Sequence, residues 1–236
     1  MKALILQKLV PLLTTFALFL NSLGGMLGIG VIIPYNPERL EVAVSGDVIT
    51  DVDKIVARYN EAVNNSGFVI ASTKYDKFEI SNADYGERNE SIASLMDIYI
   101  DSFASTVSYS FEVPGNGAVL ASDIKNAKMS EKDGETTIIL ELVNDYAALA
   151  RVFGWDEDES SFEDAFEDTG FIVSLGDSKM SYDNITVTCI IDDNGKIIYG
   201  DWDYDFRFSA KNIEAKISDM EMTFSFDLDC TVTFDI

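Results

Sequence analysis

The side chains with most capacity for chemistry in this sequence are carboxylates. Asp156, Asp158, Ser160, Asp164 and Glu167 fall at the first, third, fifth, ninth and twelfth positions of a calcium loop of the EF-hand kind, a spacing that can wrap oxygen ligands around a hard cation. Ser161 stands where that loop needs glycine and Glu163 where it needs an apolar residue, so the acidic insertion at about 154–169 also reads as a solvated loop. Asp201, Asp203 and Asp205 alternate along one segment and would project from one face of a strand, about 7 Å apart. The chain contains no histidine. An ordinary Ser-His or Cys-His pair and an imidazole zinc site are therefore absent, and no pair of carboxylates is singled out for acid-base work. No catalytic residue is assigned, and calcium is the one cofactor the sequence suggests.

A second set is apolar. Trp202, Tyr204, Phe206, Phe208, Met220, Met222, Phe224 and Phe226 would share the dry faces of neighbouring strands, wide enough to line a cavity for a lipid or other apolar ligand. The same side chains would equally serve as core beneath amphipathic helices.

Those residues need a sheet to hold them, and the C-terminus supplies one. From Met220 to Ile236 every even-numbered residue is apolar and every odd one polar, the period of a long strand with one dry and one wet face. At about 3.3 Å per residue such a strand must bend. Upstream, Asn194-Gly195 is a hairpin signal that would pair Ile191 with Ile198, Val187 with Trp202 and Ile185 with Tyr204. A second turn at Lys211-Asn212 would set Ala210 against Ile213 and leave one extra residue, assigned to a β-bulge at Ser218-Asp219. Asp133-Gly134 predicts another hairpin, with Met129 facing Ile138 and Ala127 facing Leu140. The 122 residues after Pro114 contain no proline, which suits uninterrupted pairing. In this layout Cys189 and Cys230 face inward two strand spacings apart, roughly 9 to 10 Å, beyond disulfide reach unless the sheet closes on itself.

Two amphipathic helices are expected ahead of the sheet. Val52, Ile55, Val56, Tyr59 and Val63 mark the first, opened by Thr50 or Asp51 and closed by Asn64-Asn65-Ser66-Gly67. Ile92, Leu95, Met96, Tyr99 and Phe103 mark the second. Phe68 to Ile80 reads as one or two strands, and Tyr146–Phe153 as a short helix. The expected class is α+β: a long, curved antiparallel sheet, its C-terminal part a meander, packed on two N-terminal helices.

The chain of 236 residues has a formal charge of −24 and 47% apolar residues. That charge would be repelled by nucleic-acid backbones and anionic headgroups; cations, basic proteins and neutral ligands remain as partners. Lys2 and Lys8 precede an uncharged run from Leu9 to Pro37, an export signal or a membrane anchor. Ala43 and Ser45 are small residues suited to cleavage before Gly46, whereas Gly24 and Gly28 have the spacing of a packed membrane helix. In both cases residues 46–236 face outward as one exported domain, and contact with a membrane is made only through the N-terminal segment. Asn64, Asn89 and Asn184 open glycosylation triplets.

The helix Ile55-Val56-Ala57-Arg58-Tyr59-Asn60-Glu61-Ala62-Val63-Asn64, the segment Asp192-Asp193-Asn194-Gly195-Lys196-Ile197 and the terminal alternating strands resemble uncharacterised exported proteins of clostridia-type Gram-positive bacteria. The resemblance implies a curved antiparallel sheet packed on helices, as in bacterial lipoprotein carriers, which hold acyl chains between sheet and helix. It brings no catalytic residues. The expected function is non-catalytic binding or surface interaction, with an apolar-ligand carrier as the alternative and a calcium-binding surface protein as a lesser one.

Overall fold

The first helix starts where a cap is available. The side chain of Asp51 accepts a hydrogen bond from the Lys54 amide at 3.1 Å, and α1 (Val52–Ser66) runs from there to Gly67, whose φ of 71° ends it. Its apolar stripe, Ile55, Val56, Tyr59, Ala62 and Val63, is buried, as the periodicity predicts. The structure, a computed structural model, describes residues 42–84, 107–112, 115, 117–154, 172–174, 177–217 and 220–236. The second expected N-terminal helix, around Ile92 to Phe103, lies outside the described residues.

The described strands are β1 (Val48–Ile49), β2 (Phe68–Asp84), β3 (Val107–Glu112), β4 (Ile124–Lys132), β5 (Glu135–Leu142), β6 (Ile172–Ser174), β7 (Lys179–Ile191), β8 (Ile197–Ile217) and β9 (Met220–Asp235). They form one antiparallel sheet in the order β1-β4-β5-β7-β8-β9-β2-β3, with β6 beside the far end of β8. The fold is thus α+β with a C-terminal meander. Its last strand is interior, because β2 pairs with the outer side of β9. The expected short helix is present as α2 (Tyr146–Phe153), between β5 and β6, so the two α-helices of the described residues are not both N-terminal to the sheet. It is opened by Asp145, which accepts from the Ala147 amide, and closed by Gly154 in the left-handed region.

Helix α1 is the link between the two flanks of the sheet. β1 and β2 are six strand positions apart, about 29 Å at the usual spacing. A 15-residue helix supplies about 22 Å of that span. It therefore crosses the dry face and buries its stripe on the way, joining the same core as β4, β5, β7, β8 and β9.

Register follows the sequence reading in places and departs from it in others. At the Asp133-Gly134 hairpin Met129 pairs with Ile138 and Ala127 with Leu140, both as expected; Asp133 and Gly134 take φ of 55° and 88°. At Asn194-Gly195, Val187 pairs with Trp202 as expected, but Ile191 pairs with Ile197. Ile198 is the extra residue of a bulge and is 54% exposed. The loop is longer than two residues because Asp192 organises it: its backbone N–H donates to the Lys196 carbonyl, and its carboxylate accepts the amides of Asn194 and Lys196. Ile185 shares a second bulge with Asn184, the two together standing opposite Tyr204.

The turn expected at Lys211-Asn212 is not found, and the bulge expected at Ser218-Asp219 lies outside the described residues. Lys211 and Asn212 lie inside β8 at a register shift, and Ile217 pairs with Met220, so the chain reverses between those two residues. Either arrangement accounts for the switch from even to odd dry positions. The observed one extends the ladder from Asp201 opposite Asp235 to Ile217 opposite Met220, satisfying backbone groups that an early turn would strand. Asn82, Asn184 and Asn212, with φ of 50°, 52° and 51°, each sit at a register shift in β2, β7 and β8. Asparagine tolerates the left-handed region, and bulges there give a long sheet its bend. Two of these shifts, in β2 and β8, thus lie in the strands that pair with β9.

Candidate functional site

The dry face was one of two places where function was expected. Trp202, Tyr204, Phe206, Phe208 and Phe226 are each no more than 2% exposed. The Trp202 indole Nε1 donates to the Tyr59 hydroxyl at 3.0 Å, tying β8 to α1. Phe153 of α2 lies 4.8 Å from Phe234 and 5.9 Å from Tyr204, ring centre to ring centre. Tyr182 links Tyr146 to Phe206, at 5.4 Å from each, and Phe208 meets Phe226 edge to face. These five residues are packed against protein side chains. Met220, Met222 and Phe224 lie on β9 opposite Ile217, Ala215 and Ile213. The tyrosine in α1 that anchors Trp202 appears in the sequence only as one member of a helical stripe; nothing local marks its hydroxyl as a partner.

Cys189 and Cys230 are free and buried, as the strand spacing predicts. Burial pushes the Cys189 thiol up to about 12. Burial, with the nearby Asp205 and Asp229 carboxylates, does the same for Cys230, to about 12. Burial likewise raises Tyr59. In the unfolded chain a thiol ionises near pH 8.5. Above that value the unfolded state binds fewer protons than the folded one, so stability is intact below about pH 8.5 and falls as pH rises toward about 12. Each thiol contributes about 1.4 kcal/mol of loss per pH unit in that window. Denaturant titrations at pH 8, 9 and 10 should show this slope, and Cys189→Ala should reduce it; a flat profile would contradict the buried thiols.

The outer face is polar and organised. On β8, Asp205 accepts from Thr231 and from Asn184, both at 2.6 Å, and Asp203 accepts from Thr233. On β9, Asp227 accepts from Ser209 at 2.6 Å and from Asn82 at 2.7 Å, and these two bonds hold its carboxyl below the ordinary carboxylate range. Asp229 pairs with Arg207 at 2.9 Å, and Asp183 on β7 accepts from Asn144. The Asp201, Asp203 and Asp205 row therefore continues across three strands, β7, β8 and β9, as a carboxylate lattice braced by hydroxyl and amide donors.

Asp156, Asp158, Ser160, Asp164 and Glu167 lie outside the described residues, as does the apolar N-terminal run. Among the described residues no group of three metal-capable side chains comes together, and no helix is long and apolar enough to cross a membrane. Sequence reasoning missed one buried pair that shapes this end of the molecule. Arg151 of α2 grips Asp123 with two bonds, at 2.9 and 2.6 Å, and the Leu120 amide also donates to Asp123. No family model, curated protein or solved structure matches this chain.

Proposed function

We propose that this is a non-catalytic, exported or cell-surface binding protein that presents the acidic outer face of its sheet to a basic partner. The observation that carries this reading is the lattice itself. Asp183, Asp227 and Asp229 share one face of β7, β8 and β9 with Asp203 and Asp205, and most of their hydrogen-bond donors are uncharged Thr, Ser and Asn side chains. Fixing carboxylates on rigid strands prepays their ordering, so a cationic partner meets a preorganised field. The uncharged run ahead of residue 42 supports export, and the net charge of −24 argues against nucleic acid.

The carrier reading requires ligand space on the dry face, where Trp202, Tyr204, Phe206, Phe208 and Phe226 are already in protein contact. Binding on the outer face needs no such space. A fluorescent oligolysine of about ten residues is the probe. It should bind residues 46–236 at low ionic strength and release as salt screens the charges. Asp229→Asn and Asp183→Asn should each weaken binding several-fold, in keeping with roughly 0.5–1 kcal/mol for an exposed charge pair. Salt-independent binding, or none, would refute the reading.

A further inference from the structure

The sheet ends differently at its two margins. At one, β1 is two residues long, and the strand behind it, β4, exposes Lys125, Lys128 and Lys132. A short terminal strand and edge lysines both discourage pairing with another chain. The other margin is β3, the last strand in the order, and among the described residues no strand lies beyond it. It pairs with β2 through six consecutive positions, from Phe68 with Glu112 to Thr73 with Val107, without a register shift. Residues 107–111 contain no charge, proline or glycine, and neither do residues 68–73 beside them. A terminal strand leaves one row of backbone N–H and C=O groups without a strand partner, and this one has none of the usual protection. Register also places its residues on faces. Val107 aligns with Thr73, and Thr73 with Phe234, which is buried on the dry face. Ser108 aligns with Ser72, and Ser72 with Asp235 on the outer face. By alternation Val107, Tyr109 and Phe111 continue the dry rows, and Ser108, Ser110 and Glu112 the outer ones.

We infer that β3 pairs antiparallel with β3 of a second copy, about a two-fold axis at Tyr109. Faces match across such a pair only when opposed residues have the same parity. Centring on Tyr109 sets Val107 opposite Phe111, Ser108 opposite Ser110, and Tyr109 opposite its own copy. These are favoured cross-strand pairs: aromatic with β-branched, hydroxyl with hydroxyl, aromatic with aromatic. Glu112 falls outside them. A strand that matches itself in this way fits the isologous contact of a two-fold dimer. The charge of −24 opposes the contact only weakly. The carboxylates of β9 lie two strands inside each margin, so the two sets stand about 24 Å apart, five strand spacings, against a screening length of about 8 Å at physiological salt. An axis normal to the sheet keeps both outer faces on one side. The dimer therefore displays two acidic faces together to a multivalent partner, a consequence that rests on the proposed binding function; the pairing itself does not.

Sedimentation velocity of the full chain in mild detergent, from about 1 to about 100 μM, should show a monomer–dimer equilibrium that added salt does not dissolve, unlike oligolysine binding. Ser110→Lys puts a lysine on the edge and should weaken the dimer at least about tenfold while melting is unchanged. Under mild oxidation Tyr109→Cys should cross-link two copies. Val107→Cys should not, because its two copies stand four positions apart along the ladder, beyond disulfide reach. Cys189 and Cys230 are buried and do not compete. A monomer throughout the range overturns the inference, as does a dimer that Ser110→Lys leaves intact or that Gly24→Ile, in the N-terminal run, abolishes. Equal cross-linking of the two cysteine variants, or none of Tyr109→Cys, overturns it as well. A monomer that takes up a synthetic peptide of residues 107–112 would show an edge open to a foreign strand only, and also overturns it. Oligolysine binding by a monomer would leave the charge-based function standing.

Discussion

Replacing Asp123 by alanine is expected to cost about 3 kcal/mol or more of folding stability, because it breaks an ion pair in a nearly dry site. The Asp123 side chain is 4% exposed and that of Arg151 16%. Two guanidinium bonds and the Leu120 amide converge on one carboxylate. The pair also joins two elements: α2 is held to the 3₁₀ turn Ala121–Asp123 that leads into β4. Alanine removes both counter-charge and acceptor, leaving the guanidinium and an amide to be resolvated in a packed site. Replacing both partners by apolar residues, Asp123→Leu with Arg151→Met, should cost much less than the sum of the single changes, since no charge is then left behind. Urea denaturation of the two single variants and the double variant measures this directly. A loss below about 1 kcal/mol for Asp123→Ala would mean that the pair is solvated and holds nothing in place.

The second large effect is at Trp202. Its indole lies across Gly200, where an added Cβ would stand 2.0 Å from the ring carbon Cη2, and its Nε1 reaches Tyr59. Glycine at position 200 is therefore a steric requirement of the tryptophan two residues on. Trp202→Ala should cost about 3–5 kcal/mol, the range for emptying a large aromatic site. Trp202→Phe loses the hydrogen bond to Tyr59 and part of the ring, at roughly 1–3 kcal/mol. Gly200→Ala must displace the ring and should cost about 1–3 kcal/mol. The informative combination is Gly200→Ala with Trp202→Leu. With the ring gone the added methyl meets no indole, so the two changes should be less harmful together than their sum. Wild-type melting of Gly200→Ala would show that the ring has another place to go.

These two sites show what kind of information the sequence lacked. Asp123 and Arg151 are 28 residues apart and Tyr59 and Trp202 are 143 apart. Each looks locally like an ordinary charged or apolar position. Their pairing exists only once α2 has docked on the turn before β4 and α1 has crossed the sheet.

What the sequence determined by itself is what local chemistry controls. The period-two pattern made β9 a strand with a dry even face, and Phe226, Leu228, Cys230, Val232 and Phe234 are buried. The Asp-Gly turn set the β4–β5 register, and the cap and stripe made α1, because each depends on residues within a few positions of one another. The tertiary structure alone decided where β8 bends and where it reverses. Lys211-Asn212 and Ser218-Asp219 both satisfy the alternation, so parity cannot separate a bulge from a turn. The choice is made by the ladder: a reversal after Ile217 lets β8 pair with β9 along its whole length, and the gain in paired backbone and buried apolar surface is not visible to any local segment.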